Sequence, residues 1–316
     1  MQKSGFLATI QDLGRNGFRR FGINQSGAMD KQAVRLINML LGNDESEAVL
    51  EMHFTAPVLE FEADALIALG GADFGAKLDD KAIENWRCVL VKKGSILEFD
   101  KQIFGSRAYL AIKGGFAIEK WLESASTNLL ANIGGFKGRA LNKGDRLSFN
   151  QRTKDKGQRT ENKISYNLTA NYQKSVAKIR VIAGAEFASL TAFSEQVFFK
   201  QNFTICPESD RMGFRLKGEP LYLLDELEMV SSAIDFGTIQ LLPDGQMIVL
   251  MADHQTSGGY PRIAHVASVD LPILAQLSPN DKVNFELISL IEAEDLLLEF
   301  ERDVSWLKIG CKYGFR

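Results

Sequence analysis

Short apolar runs closed by tight turns dominate this chain, and that rhythm constrains its fold more than any other feature. Residues 58–61, 65–69 and 108–112 are brief apolar or alternating runs with glycine nearby, as strands bounded by turns should be. Ile239-Gln240-Leu241-Leu242 and Met247-Ile248-Val249-Leu250-Met251 flank Pro243-Asp244-Gly245. Proline presets the first turn angle and glycine accepts a positive φ, so this pair reads as a hairpin.

One device recurs. Residues 93–99, 143–149 and 280–285 each place a polar turn before a run ending in Phe (Phe99, Phe149, Phe285). Units of this kind suit small closed barrels, in which every strand must reverse quickly. Their presence in both halves of a 316-residue chain points to two related β-barrels. Between them, residues 151–163 contain no apolar side chain and cannot bury a face. The expected division is therefore a barrel region at 1–155, a polar linker or insertion at 156–175, and a second barrel region at 176–316. Two helices interrupt the strands. Ala33, Val34, Ile37, Leu40 and Leu41 share one face ahead of a Gly42-Asn43 stop. Ser289 and Glu292 have capping-box spacing before Leu296, Leu297, Phe300 and Val304.

Several function classes fall away. Lys plus Arg (37) nearly balance Asp plus Glu (40), so no broad basic field exists to hold nucleic acid. No apolar run reaches the roughly 18 residues needed to span a bilayer, and no signal-peptide stretch opens the chain. Three separated cysteines, Cys88, Cys206 and Cys311, read as reduced thiols of a cytoplasmic protein. The sequence lacks G-x-x-x-x-G-K-[ST], H-E-x-x-H, G-x-S-x-G and a strand-linked G-x-G-x-x-G. With only His53, His254 and His265, no metal site is evident. His53 and His265 read as structural.

Three polar, glycine-rich segments remain. The first holds Gln11, Asp12 and Arg15, then Ser26, Gly27 and Asp30 at the mouth of a helix whose free N–H groups can hold an anion. Helix capping by Ser26 or Asp30, with Arg15 pairing Asp12, is the structural alternative. The second, residues 209–216, carries Arg211 and Arg215 around Gly213, a clamp for a carboxylate or phosphate or else ion pairs with Asp210. In the third, a strand empties into Asp253-His254-Gln255-Thr256-Ser257-Gly258-Gly259-Tyr260-Pro261. Paired glycines permit close backbone approach, while Gln255 and Thr256 supply donors and acceptors. Arg211 and residues 255–260 are expected to line one pocket.

These segments, together with residues 107–115 and 237–240, resemble the biotin-dependent carboxyltransferase-like family, also called allophanate hydrolase subunit 2-like. That family includes the C subunit of 5-oxoprolinase and the Kip-type regulator. The resemblance runs from about residue 5 to about 290 and implies a mainly β chain with a few helices, built as two cyclophilin-like β-barrel domains. It places motif positions on Gln11, Asp12, Arg15, Ser26, Gly27, Asp30, Arg211, Gln255, Thr256, Gly258, Gly259 and Tyr260. Three positions depart from the pattern. Glu123 and Ala125 replace the Gly and Arg of a Gly-Ser-Arg-Ser-Thr run, and His254 stands where Arg is usual. The chain also begins a few residues later than the family usually does, so a first edge strand is expected to be short or missing.

The resemblance implies the C subunit of an ATP-dependent 5-oxoprolinase that opens the cyclic amide of 5-oxoproline to glutamate. Its expected partners are an A-type subunit plus a subunit-B-like homologue of the Kip-type inhibitor, with ATP used through the complex. The alternatives are the carboxyltransferase subunit of a biotin-dependent urea or amide carboxylase, or a non-catalytic regulator binding a subunit-B-like kinase inhibitor. No Met-Lys-Met biotin-attachment tripeptide occurs. Amide opening needs a polarised carbonyl and a protonated leaving nitrogen. Asp12 or Asp30 is the candidate base. Arg15, Arg211 and the 258–259 backbone are candidates to stabilise negative charge, and Tyr260 to orient a small amide substrate.

Overall fold

A computed structural model describes residues 1–150, 176–225 and 227–313. The polar stretch 151–163 and the linker expected at 156–175 lie outside the described residues. Contacts group Met1–Arg15, Ser26–Thr169 and Arg302–Arg316 in one unit, and Asn16–Gln25 with Ala170–Glu301 in a second.

The first unit holds β1 (Ala8–Gln11), α1 (Lys31–Leu41), β2 (Val49–His53), β3 (Leu59–Glu60), β4 (Ala65–Asp73) and β5 (Ala76–Leu78). It continues with β6 (Lys81–Ala82), β7 (Cys88–Val91), β8 (Ile96–Phe99) and β9 (Phe104–Ile112). The strands form a five-stranded sheet, β1-β2-β9-β4-β7, and a four-stranded sheet, β3-β8-β5-β6. Alternation sorts the five-stranded sheet into two faces. Ala8, Ile10, Leu50, Met52, Leu69, Ala108 and Leu110 join one apolar core. Thr9, Glu51 and Tyr109 occupy cross-strand positions on the opposite face. Asp30 caps α1 by accepting from Ala33 N at 2.8 Å, and Gly42 ends it at φ 68°.

In the second unit, β10 (Val176–Ala183), α2 (Ala192–Lys200), β11 (Phe203–Ile205), β12 (Gly213–Lys217) and β13 (Ser232–Ala233) come first. They are followed by β14 (Thr238–Leu241), β15 (Met247–Leu250), β16 (Ser257–Gly258), β17 (Arg262–Val266), α3 (Leu271–Ala275), β18 (Lys282–Leu287) and α4 (Leu290–Tyr313), whose residues from Arg302 onward group with the first unit. Seven strands close a barrel in the order β10-β17-β14-β15-β12-β11-β18. Phe214, Leu216, Ile239, Leu241, Met247, Val249, Val283 and Phe285 are buried as its filling. Closure removes the open edges that seven short strands would otherwise expose. The hairpin expected around residues 243–245 is present, with Ile239 opposite Val249 and Gly245 at φ 78°. At α4, Ser289 and Glu292 cap each other reciprocally: Ser289 N donates to Oε2 at 2.7 Å and Glu292 N to Oγ at 3.1 Å.

One strand expectation needs correction. Residues 143–149 turn at Gly144 (φ 89°), but the run ends in a single bridge between Phe149 and Phe116. Asp145 draws the segment inward instead, pairing with Arg139 at 2.7 Å and accepting from Asn142 N at 2.7 Å.

Candidate functional site

In the first unit, β1 delivers Asp12 to a buried position at its C-terminal end. Oδ1 accepts from Gly14 N (2.7 Å), Ser124 Oγ (2.7 Å) and Ser126 Oγ (2.5 Å), and Oδ2 accepts from Ala125 N (2.6 Å). Four donors occupy a carboxylate that has about four acceptor sites, so its geometry is that of an anchor. Arg15, 1% exposed, stacks 5.0 Å over the Trp121 ring and donates to Ser126 O. The Arg15–Asp12 pair weighed from the sequence gives way to these partners. Gln11 donates from Nε2 to Thr9 Oγ1 (3.1 Å) and Thr127 O (3.2 Å).

The departures at 123 and 125 acquire a structural meaning. Glu123 adopts φ 63°, a left-handed conformation for which the family's usual glycine is suited. Ala125 is 1% exposed and gives its backbone N–H to Asp12.

Ser26 and Gly27 both have positive φ, and a Cβ on Gly27 would lie 2.9 Å from Gly14 N. The loop they form is held from below. Asp30 N donates to Tyr109 Oη at 2.9 Å, and Tyr109 donates to Glu51 Oε2 at 2.9 Å, which also accepts from Met29 N at 2.9 Å. Burial first, then the negative charges of Glu51 and Asp30, push the Tyr109 hydroxyl well above its ordinary pKa, so it stays a donor. Glu51 was missed from the sequence. Its only signal was a lone carboxylate inside the apolar run Val49-Leu50-Glu51-Met52.

The second unit carries a cavity of ≈ 480 Å³ on the outer face of the barrel. Pleating sends Phe214, Ile239 and Val249 inward, so their neighbours Arg215, Gln240 and Ile248 face outward. Register aligns those three in one cross-strand row, and all three line the cavity. Met212, Asp244, His254, Gln255 and Tyr260 complete its polar and apolar wall. Above the row, β16 pairs with β13, and a Cβ on Gly258 would lie 2.7 Å from Gln240 Nε2. The close approach that Gly258 permits is thus to this chain's own glutamine. A Cβ on Gly259 would meet nothing nearer than Ser231 Oγ at 3.4 Å.

Arg211 does not line this cavity; its neighbours Met212 and Arg215 do. Its guanidinium is buried and paired to Asp253, Nε to Oδ2 at 2.7 Å and Nη2 to Oδ1 at 3.2 Å. Asp210, the pairing partner weighed for both arginines, instead accepts from Met212 N (2.7 Å) and Gly213 N (3.3 Å).

His254 is 2% exposed and its tautomer follows from geometry. Nδ1 lies 2.5 Å from Gln255 O, and a carbonyl only accepts, so Nδ1 carries a proton. Nε2 lies 3.9 Å from Asp235 Oδ1, and Asp235 is held on its other side by Arg19 at 3.1 Å. Asp235 and Arg19, with Thr238, Arg262 and His265, line a further ≈ 330 Å³ cavity. Thr256 meets β13's approach through its carbonyl, which accepts from Ile234 N at 3.4 Å. Among the described residues, no group of three or more His, Cys, Asp or Glu side chains is placed to hold a metal ion.

Fold and site together define a mainly β protein with a closed seven-stranded barrel and a polar cavity on that barrel's outer wall. Residues 21–287 match the carboxyltransferase domain, subdomains A and B, and the chain belongs to that family. It is 41% identical over 289 residues to the 5-oxoprolinase C subunit of Haemophilus influenzae, covering 92% of this chain and 91% of the relative. Identity to the 5-oxoprolinase C subunit of Escherichia coli is 37% over 292 residues, with the same coverage of 92% and 91%. The crystal structure of the K. lactis urea amidolyase superposes with a TM-score of 0.91 at 27% identity over 97% of this chain. This chain spans 20% of that larger protein.

Proposed function

We propose that this protein is the C subunit of an ATP-dependent 5-oxoprolinase, acting with an A-type subunit plus a subunit-B-like partner to open 5-oxoproline to glutamate. One observation carries the reading: relatives named as the C subunit of 5-oxoprolinase match it along 91% of their own length, whereas the urea amidolyase matches over only 20% of its length. The substrate's chemistry fits the outer-face cavity. Arg215 is the cation there that can meet the 5-oxoproline carboxylate, and Gln255 and Tyr260 offer donors to the ring amide. His254 lines the same cavity, with its Nδ1 proton held on Gln255 O and its Nε2 turned toward Asp235. Arg211 supports this wall by bracing Asp253, the residue before His254. Asp12, Arg15, Ser26, Gly27 and Asp30 form the second polar region that we assign to the working protein.

ATP supplies the free energy for opening an unstrained amide. The sequence has no phosphate-cradling G-x-x-x-x-G-K-[ST] loop, so we place the ATP-binding machinery on a partner subunit.

A second reading is favoured by the likeness to the urea amidolyase. In it, the same cavity receives an amide in a biotin-dependent carboxyltransferase. The two are separated by co-purifying the chain with the products of its neighbouring genes and assaying glutamate formation from 5-oxoproline and ATP. Biotin-dependent carboxylation without glutamate formation would favour the second.

A further inference from the structure

The helix α4, Leu290–Tyr313, lies beyond the family-matched residues 21–287 and is apolar on two opposite faces. At about 100° per residue, Ala293, Leu296, Phe300, Val304 and Leu307 fall on one side, and each is buried or half-buried. The other side carries Ile291 (70% exposed), Leu298 (67%), Trp306 (64%) and Ile309 (40%). An amphipathic surface helix needs only the first face, and four large apolar side chains opposite it cost hydration free energy unless something covers them.

We propose that this outer face pairs with the same helix of a second copy of the chain, antiparallel, about a two-fold axis beside Leu298. The order of residues along the stripe supports self-pairing. It reads Ile291, Asp295, Leu298, Arg302, Trp306: apolar, acidic, apolar, basic, apolar. Reversing it returns the complementary order. Under the two-fold, Ile291 packs on Trp306 of the partner subunit, Leu298 lies at the axis, and Asp295 faces Arg302 of the partner subunit. Asp295 and Arg302 are seven residues apart, roughly 10 Å along the axis, too far to pair within one helix. Arg302 touches Asp303 at 3.6 Å, and both side chains are open to solvent.

An isologous contact of this kind needs only one surface and closes on itself. Nineteen residues of helix, Ile291 to Ile309, extend about 28 Å, so the pair buries on the order of 1,000 Å², the lower limit for a specific association. The dimer is therefore concentration-dependent.

Sedimentation equilibrium of the full chain over a wide dilution series tests this. A reversible monomer–dimer equilibrium is expected, with Leu298→Gln weakening it about tenfold or more. Asp295→Arg and Arg302→Asp should each weaken it by about the same factor through like-charge repulsion, and the double reversal should restore dimerisation. All three positions are exposed, so unchanged circular dichroism should accompany each change. A chain that is monomeric at every concentration overturns the proposal. So does a double reversal no better than the single ones, or a monomer whose α4 face binds anionic vesicles or a different polypeptide instead.

Discussion

Arg211 and Asp253, separated by 42 residues in sequence, form a two-pronged ion pair in the interior of the second unit, Nε to Oδ2 at 2.7 Å. The pair ties the turn before β12 to the segment following β15, and Asp253 N also donates to Arg211 O at 2.7 Å. Removing the guanidinium leaves a buried carboxylate without this partner. Arg211→Ala is expected to destabilise the fold by about 3–5 kcal/mol in urea unfolding. Arg211→Lys keeps the charge but loses the planar fork, and should fall between wild type and alanine. Unchanged stability with lost substrate binding would show that Arg211 is a ligand-binding group after all.

Asp12 organises the 124–126 segment through three donors and its own turn through a fourth, Gly14 N. Asp12→Asn puts an amide nitrogen where at least one donor now points. The expected loss is about 2–3 kcal/mol, the scale for a broken charge-assisted network, read from the shift in denaturation midpoint at constant m-value. A stable Asp12→Asn variant that loses only turnover would restore the catalytic-base role to this carboxylate.

Two glycines separate structural need from tolerance. A Cβ on Gly134 would lie 2.2 Å from Ser126 O, and its φ of 69° strains any other residue. Gly259 has neither obstacle. Gly134→Ala should therefore cost more than about 2 kcal/mol and Gly259→Ala within about 0.5 kcal/mol, as measured by thermal melts.

Locally encoded features were legible in the sequence. The Asp30 cap and Gly42 stop of α1, the reciprocal Ser289–Glu292 cap of α4, and the hairpin around Gly245 each depend on residues a few positions apart. Contacts over long separations were not. Nothing in the order of residues reveals that Asp12 meets Ser124 and Ser126, 112 and 114 positions away, or that Arg211 turns inward to Asp253. Arg215 is legible in the sequence as one arm of a possible anion clamp, but Gln240 is not legible as its companion, because that relation lies in register: pleating and cross-strand alignment bring the two into one outward row with Ile248. The segment 143–149 shows the converse. Its turn was read correctly, but Arg139 captures Asp145 and diverts the chain from a ladder.

Burial is the first cause lowering the pKa of His265, partly offset by the negative charge of Asp235, while Nδ1 lies 3.3 Å from Thr238 Oγ1. The folded state thus binds a proton less readily than the unfolded state, whose value is near 6.5. As pH falls through 6.5, the unfolded chain takes up protons first, so stability should decline until the folded-state value is passed. His265→Gln should flatten that part of the stability–pH curve. An unaltered slope in the variant would assign the pH dependence to other groups.

Glutamate release from 5-oxoproline and ATP, by this chain combined with the A-type and B-like subunits proposed as its partners, tests the functional account most directly. Full activity is expected only with all three chains present, and Arg215→Ala should lower kcat/KM about tenfold or more while leaving the complex assembled. Equal glutamate release without this chain, or full turnover by this chain alone, would contradict the account.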